Sequence, residues 1–291
     1  MNACEPEKCR GFEMTPYIDE VDGSKANAYD SQCRFQLYRQ AIAPTVGFRG
    51  QLHAEVLLCL VDESGRTLRA KEFMPSVQRS GWSTYVDQLV VTAVTNMLSH
   101  DTQAGYASVY SVNLSGSSIC DPRFESFLHR QLAKSTSPER LCFEITESEC
   151  ISDIAIASRF VTRMKSSGCR FALDDFGSGF CSMAYLKHLP VDAVKIDGQF
   201  IKDYSSNRLD REIVESILRL SSIKGIETIA EGVESASIHD DVRRLGIDYC
   251  QGYFVDRPGF WVELPSGREF ARVLATMIGG PNGRHRVRSP R

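Results

Sequence analysis

The sequence lacks a long apolar run, a CxxC motif and a strong net charge. No stretch approaches the roughly 18 apolar residues that a membrane span needs, and the first thirty residues contain no apolar signal region. We therefore expect a cytoplasmic chain without a membrane segment. The ten cysteines lack zinc-type spacing, which predicts reduced and mostly buried thiols. A net charge of −3 argues against binding of DNA or RNA polymers.

Short strand-like runs alternate with helical patterns from residue 35 onward. The eight strand candidates are residues 35–43, 53–61, 108–115, 141–147, 169–175, 193–197, 226–233 and 249–255. Eight strands joined by helical crossovers close into a parallel barrel. Only residues 44–52 separate the first two runs, which is too short for a crossover helix. We therefore predict an α/β fold, a modified TIM (β/α)8 barrel with an antiparallel first strand.

The composition along the chain predicts three parts. Residues 1–33 are polar and turn-rich and are interpreted as an N-terminal extension. Residues 34–264 contain the strand and helix alternation and are assigned to the barrel. Residues 265–291 read as a C-terminal helix followed by a basic tail.

Seven consecutive strand candidates each place a polar side chain within or at the end of an apolar run. These residues are Glu55, Asn113, Glu144, Asp174 with Asp175, Lys195, Glu231 and Gln251. In a barrel of this type the active site lies at the carboxyl ends of the strands, so we expect them to converge there. The oxygen-rich set suits Mg²⁺ or Mn²⁺ rather than zinc.

Two adjacent acids at one strand end, Asp174 and Asp175, suit a pair of metal ions. Ions about 3.5 to 4 Å apart need bridging and flanking carboxylates, and adjacent acids can each reach a different ion. The alternative is that the segment DDFGSG, residues 174–179, is only a polar turn that closes the strand. The six histidines lie outside the strand-end set, so no Ser/His catalytic pair is indicated.

Several segments together resemble the EAL domain family, the phosphodiesterases that hydrolyse cyclic di-GMP to linear pGpG. The resemblance covers about residues 35–258, and the matching segments are AEVLLCL, SVNLS, FEITES, DDFGSGF, YLKHLPVDAVKID, IAEGVE and QGYFVDRP. The three-residue signature here is Glu55-Val56-Leu57, which keeps the acid and the leucine.

The resemblance implies a role for each matching residue. Two ions, Mg²⁺ or Mn²⁺, would be held by Glu55, Asn113, Glu144, Asp174, Asp175 and Glu231. Lys195, with Glu55 and Glu231, would be catalytic, and Lys195 would position or deprotonate the attacking water. Substrate contacts would come from Gln251, Leu57, Asp197 and the position of Cys59. Ca²⁺ is expected to bind without supporting efficient turnover.

The resemblance also implies partners and a process. The ligand would be cyclic di-GMP, within bacterial second-messenger signalling of the kind that controls biofilm and motility. Glu147 would stabilise the DFGSGF loop, residues 175–180, and a homodimer is expected through the barrel mouth near this loop.

One departure from the family pattern concerns ligand affinity. Family members usually carry an arginine two residues after the signature leucine, where it contacts the ligand, and this chain has Cys59. A cysteine cannot replace this donor, and the loss of a charge-assisted contact costs about 1.5 to 3 kcal/mol of binding.

Four alternatives stay open from the sequence alone. Lys195 could pair with Asp197 at the strand end, and Gln251 could be a hydrogen-bonded core amide. The whole domain could be a catalytically weak or inactive cyclic di-GMP receptor that signals through a protein partner. It could also be a metal-dependent barrel enzyme of another superfamily, acting on sugars or carboxylic acids.

Overall fold

The computed structural model of the protein describes residues 33–47, 53–100, 108–135, 137–146, 154–177, 182–264 and 267–279. The strands are β1 (Arg34–Pro44), β2 (His53–Val61), β3 (Thr67–Arg69), β4 (Val109–Asn113), β5 (Leu141–Thr146), β6 (Arg170–Phe176), β7 (Ala193–Ile196), β8 (Glu227–Ala230), β9 (Tyr249–Gln251) and β10 (Gly259–Glu263). The helices are α1 (Ala70–Arg79), α2 (Ser83–His100), α3 (Gly116–Ile119), α4 (Pro122–Lys134), α5 (Ile154–Lys165), α6 (Ser182–His188), α7 (Gly198–Lys202), α8 (Arg208–Lys224), α9 (Ala236–Arg244) and α10 (Arg268–Gly279). A 3-10 turn spans Pro138–Arg140.

Eight strands close into a barrel. Strands β2 and β4 to β9 pair with their neighbours in parallel, and β1 closes the ring by pairing antiparallel with β2 on one side and with β9 on the other. The short strands β3 and β10 extend the sheet beyond the ring, antiparallel to β2 and β1. The predicted modified TIM barrel with an antiparallel first strand is confirmed.

Five helices and strands do not appear in the sequence prediction: β3, α1, α3, α7 and β10. Strand β3 has three residues, too few to show a period of two. Helix α1 contains Pro75, a residue that normally argues against a helix interior. The strand predicted over residues 226–233 ends at Ala230, so Glu231 lies in the loop that follows, whereas the one predicted over 249–255 ends at Gln251, which is still a strand residue.

The apolar side chains form two separate groups. The larger one fills the space between the barrel and its helices, and Phe270 of α10 joins it at ring-centroid distances of 5.8 Å from Phe35 and 4.6 Å from Trp82. The smaller one lies on six barrel strands and consists of Ile42, Val109, Cys142, Ala172, Ala193 and Ile229. This second group makes a water-excluding layer within the barrel. The proposed boundaries at residues 33 and 264 stay a prediction.

The cysteines of the described ranges are free thiols, as predicted from their spacing. Cys33, Cys59, Cys142, Cys169 and Cys250 are buried, whereas Cys120 is exposed. Burial raises the pKa of the Cys142 thiol to about 12, so this group behaves as a small apolar side chain. Within the part of the chain that is described, no helix has both the length and the apolarity that a bilayer crossing requires.

A close approach of two loops depends on Gly252, directly after β9. Its φ is +156°, and a Cβ atom there would lie 2.2 Å from the carbonyl oxygen of Val233. The same loops are joined by hydrogen bonds from Val233 N to Gln251 O and from Phe254 N to Val233 O, each 3.0 Å long. Any side chain at position 252 must therefore push apart the loops that follow β8 and β9.

We expect Gly252→Ala to lower the free energy of unfolding by roughly 3 kcal/mol or more, because it combines backbone strain with a backbone clash. Urea unfolding followed by circular dichroism measures this change. Gly259→Ala is the matched control, since no atom lies within 4 Å of the added Cβ. Equal losses in both variants would contradict the importance of the close approach.

Candidate active site at the barrel mouth

The barrel strands carry the seven strand-end positions to one mouth. Asn113 of β4 lies beside Glu144 of β5, and Thr146 at the end of β5 lies beside Asp174 of β6. Lys195 comes from β7, while Glu231 follows β8 directly. The parallel register therefore brings side chains that are distant in sequence into contact.

Lys195 is the centre of the site. Its side chain is 1% exposed, and its Nζ atom lies within salt-bridge distance of four carboxylates. These are Asp174 at 2.8 Å, Glu144 at 2.9 Å, Glu231 at 3.0 Å and Glu55 at 3.3 Å. Asp197 is not one of the four, so the alternative strand-end pair between Lys195 and Asp197 does not form in this structure.

Amide side chains fix Glu55 from both sides. Asn113 Nδ2 donates to Glu55 Oε1 at 2.9 Å, and Gln251 Nε2 donates to Glu55 Oε2 at 2.7 Å. Gln251 Nε2 also donates to Gln40 Oε1 at 3.1 Å. Gln251 is thus a buried amide that is bonded to the acid cluster, which combines the two interpretations of this residue from the sequence.

Gln40 is a site residue that the sequence analysis missed. It lies on β1 opposite Glu55, and its Nε2 donates to the carbonyl oxygen of Asp256 at 2.9 Å. The signal was weak, because Gln40 shares its face of β1 with Gln36 and Tyr38 and does not interrupt an apolar run. It was overlooked because β1 is antiparallel and its carboxyl end does not lie at the mouth.

The acid cluster holds more negative charge than its one lysine offsets. Burial alone would lower the pKa of Lys195, but the surrounding carboxylates outweigh it and raise that pKa well above its ordinary value. Burial opposes ionisation of Glu55, yet Lys195 and the bonds from Gln251 and Asn113 lower its pKa. Burial raises the pKa of Glu144 to about 8 and that of Glu231 well above its ordinary value, with neighbouring carboxylates adding to both shifts.

The residues present fit a divalent cation. Carboxylate oxygens of Asp174, Asp175 and Glu231 all lie within 4.8 Å of one another. Among the described residues, Glu144 Oε1 and Gln251 Oε1 are buried without a hydrogen-bond partner. Buried acceptors without donors are costly, so these oxygens are available as ligands of a cation or as acceptors from its bound water.

The backbone of β6 explains how two adjacent acids reach one site. Successive strand residues normally point to opposite faces. Here the pairing of β6 with β7 shifts register between Leu173 and Phe176, and Asp175 has a φ of +53°. This turn brings Asp175 next to Asp174, and burial together with the Asp174 and Asp197 charges raises the pKa of Asp175 to about 6.

A family model described as EAL domain matches residues 26–258 of this chain. The chain belongs to the EAL domain family. One similar protein is the cyclic di-GMP phosphodiesterase PdeF of Escherichia coli K12, 35% identical over 216 residues, or 74% of this chain and 29% of that protein. The cyclic di-GMP phosphodiesterase PdeB of Shewanella oneidensis MR-1 is 37% identical over 223 residues, or 76% of this chain and 26% of that protein. The chain thus spans a little more than a quarter of the length of these two curated relatives.

Solved EAL domains share the fold. The FimX EAL domain from Pseudomonas aeruginosa, solved bound to c-di-GMP, superposes with a TM-score of 0.71 at 27% identity and covers 78% of this chain and 91% of that one. An EAL domain protein from Listeria monocytogenes EGD-e gives a TM-score of 0.69 at 26% identity, covering 78% of this chain and 89% of that one.

The remaining site positions of this EAL domain lie around the acid cluster. Leu57 and Cys59 follow Glu55 at alternate positions of β2 and therefore lie on the same face of the strand. Asp197 caps α7, accepting from Gln199 N at 2.9 Å. Glu147 lies outside the described residues, as do residues 178–180 of the DFGSGF loop, so the expected loop contact stays a prediction.

The raised pKa of Glu144 predicts how stability depends on pH without a metal. Its folded pKa of about 8 lies above the ordinary value of 4.5. Between these values the folded state holds a proton that the unfolded chain has released. Stability therefore falls as the pH rises through this window, by roughly 1 to 3 kcal/mol.

Urea unfolding in EDTA at about pH 5 and about pH 8 measures this dependence, since no divalent cation then competes with the proton. The Glu144→Gln variant, which carries a neutral side chain of the same shape, should lose less free energy of unfolding than the wild type over the same pH interval. If the free energy of unfolding depended on pH equally in the wild type and in Glu144→Gln, Glu144 would not be the group that titrates.

Proposed function

We propose that this EAL domain hydrolyses cyclic di-GMP to linear pGpG with two divalent ions, Mg²⁺ or Mn²⁺. The observation that carries the proposal is the complete acid cluster around Lys195, with buried oxygens of Glu144 and Gln251 left without donors among the described residues. The names of the relatives support the same substrate, because PdeF and PdeB are called cyclic di-GMP phosphodiesterases.

The residues that would hold the ions are Glu55, Asn113, Glu144, Asp174, Asp175 and Glu231. Bound there, the ions would lower the pKa of a water molecule and offset the charge that develops on the phosphodiester. Asn113 uses its Nδ2 to hold Glu55, which leaves its carbonyl oxygen as the ligand atom. Asp174 and Asp175 each offer a carboxylate oxygen at one strand end, and these oxygens lie within 4.8 Å of each other and of a carboxylate oxygen of Glu231.

Lys195 would act as a fixed hydrogen-bond donor. Its raised pKa keeps the ammonium charged, so it holds the acids in place and can position the attacking water. Glu55 and Glu231 lie at 3.3 Å and 3.0 Å from this ammonium and can accept the proton that the water loses. Gln251 Oε1, also without a partner in the described ranges, can accept a hydrogen bond from the same water.

The reaction adds one water molecule across one phosphodiester bond. The water oxygen bonds to phosphorus as the bond to the 3′ oxygen breaks, and the 3′ oxygen takes up a proton. The products of this step are a 5′ phosphate and a 3′ hydroxyl on one linear dinucleotide, pGpG. No covalent intermediate with the protein is needed.

A receptor without catalysis is the alternative within the same family. Loss of acids from the cluster would favour it, and this chain keeps all five: four lie around Lys195, and Asp175 lies beside Asp174 and Glu231. A homodimer through the mouth region near the DFGSGF loop, a cytoplasmic location and a part in biofilm or motility control remain proposals that rest on the family.

We expect purified protein to convert cyclic di-GMP to pGpG with Mg²⁺ or Mn²⁺, and to bind it in Ca²⁺ with little turnover, because Ca²⁺ has longer and less regular bonds. Chromatography of the nucleotides measures product, and calorimetry measures binding. Binding in Ca²⁺ without pGpG in either activating metal would favour the receptor. Absence of both would contradict the proposed function.

We expect Glu55→Gln and Asp174→Asn each to lower kcat by more than about 100-fold, because loss of a residue that merely supports a metal ligand already costs 10- to 100-fold. Both are close in shape to the native residue, so thermal unfolding should show a folded protein. Asp240→Asn is the control, a half-exposed acid of α9 that pairs with Arg243 at 3.3 Å. Near-normal kcat in either site variant would remove that residue from the site.

A further inference from the structure

The strand that carries Glu55 continues beyond the acid cluster with a second strand at its side. Strand β3 pairs antiparallel with the end of β2, and Arg69 lies directly opposite Cys59. Residues paired in this way project from the same face with Cβ atoms about 4.5 to 5.5 Å apart. Arg69 therefore shares the face of β2 that holds Glu55 and Leu57.

The guanidinium of Arg69 lies at the rim of the mouth. Its Nη1 donates to the hydroxyl oxygen of Tyr253 at 3.4 Å. Tyr253 lines a cavity of about 150 Å³ together with Glu231 and Gln251 of the acid cluster. Arg69 and Tyr253 are both exposed, so a ligand in the mouth can reach them.

Among the residues that the structure describes, no neighbouring acid neutralises the charge of Arg69. The nearby Glu72 accepts from the Arg66 guanidinium and from the Arg69 backbone N–H, each at 2.8 Å. In the ranges that the structure describes, no carboxylate lies within salt-bridge distance of the Arg69 side chain. A second guanidinium, that of Arg257, lies 4.6 Å from the centre of the Tyr253 ring.

The two phosphates of one ligand suit a mouth in which a negatively charged acid cluster and a positively charged rim lie apart. A cyclic dinucleotide carries two singly charged phosphodiesters, and only one of them can react at the acid cluster at a time. The other needs donors outside that negatively charged cluster. A guanidinium presents a planar fork that matches two phosphate oxygens.

We propose that Arg69, held at the rim by Tyr253, binds the phosphodiester of cyclic di-GMP that is not being hydrolysed. It supplies, from the neighbouring strand, the positive charge that Cys59 lacks. The inference rests on the proposed function, since it names a contact to that same ligand. It also means that the departure at Cys59 does not by itself weaken binding.

Calorimetry with cyclic di-GMP in Ca²⁺ tests the contact. Arg69→Met should weaken binding by about 10- to 100-fold, and with Mg²⁺ or Mn²⁺ it should raise KM more than it lowers kcat. Arg66→Met is the matched control, because it removes the same charge from the same hairpin at a residue that pairs with Glu72. The affinity of this variant for cyclic di-GMP should stay within about 2-fold of the wild-type affinity.

Moving the positive charge from β3 to β2 shows whether a loss of affinity comes from the lost contact or from misfolding. Cys59→Arg in the Arg69→Met background should restore affinity to within about 5-fold, since paired positions reach the same space. Cys59→Arg alone should gain less than about 3-fold, because the donor is already present. Circular dichroism confirms that each variant is folded.

The outcomes distinguish the two proposals. Wild-type protein that neither binds nor hydrolyses cyclic di-GMP would overturn the proposed function and this inference with it. Wild-type protein that binds normally, with Arg69→Met unchanged or Arg66→Met equally weakened, would overturn only the inference. A large gain in affinity from Cys59→Arg alone would also overturn it, because the missing donor would then be at position 59.

Discussion

The site depends on one buried ammonium group, that of Lys195. A lysine that is 1% exposed cannot remain charged without partners, and four carboxylates supply them at 2.8 to 3.3 Å. Conversely, acids this close together cannot all ionise without a cation between them. Each partner therefore requires the other. The strands that carry them must hold their register, because a shift of one residue would turn a charged side chain outward.

The barrel meets this requirement by separating apolar and polar layers along its axis. Below the acids, six small or branched side chains from different strands fill the interior and exclude water. Exclusion of water strengthens the electrostatic attraction between Lys195 and the acids, but it also raises the pKa of Glu144 to about 8. The same layer that excludes water thus leaves the excess of carboxylates over the single ammonium group without solvent to stabilise it, which makes a divalent cation favourable.

Much of this arrangement could be predicted from the sequence because each site residue interrupts an apolar run. A buried strand tolerates Glu144 or Lys195 only with a partner, so the interruptions indicated both the strands and a shared mouth. The sequence did not indicate which of these side chains form ion pairs or hydrogen bonds with each other. Lys195 and Asp197 are two residues apart and suggest a local pair, yet Asp197 caps α7 instead. The positive φ of Asp175 depends on a register shift that leaves no pattern in composition.

The departure at Cys59 shows why a family position should be interpreted in three dimensions. Cys59 and Arg69 are ten positions apart in sequence but form one cross-strand pair. A short strand with no periodicity, such as β3, is invisible to pattern analysis, so its arginine carried no signal. A cation can move to a paired strand while its charge stays in the same region of space, because cross-strand neighbours share a face and lie closer than the reach of an arginine. The proposed phosphodiester contact therefore depends on where the guanidinium lies and not on which strand carries it.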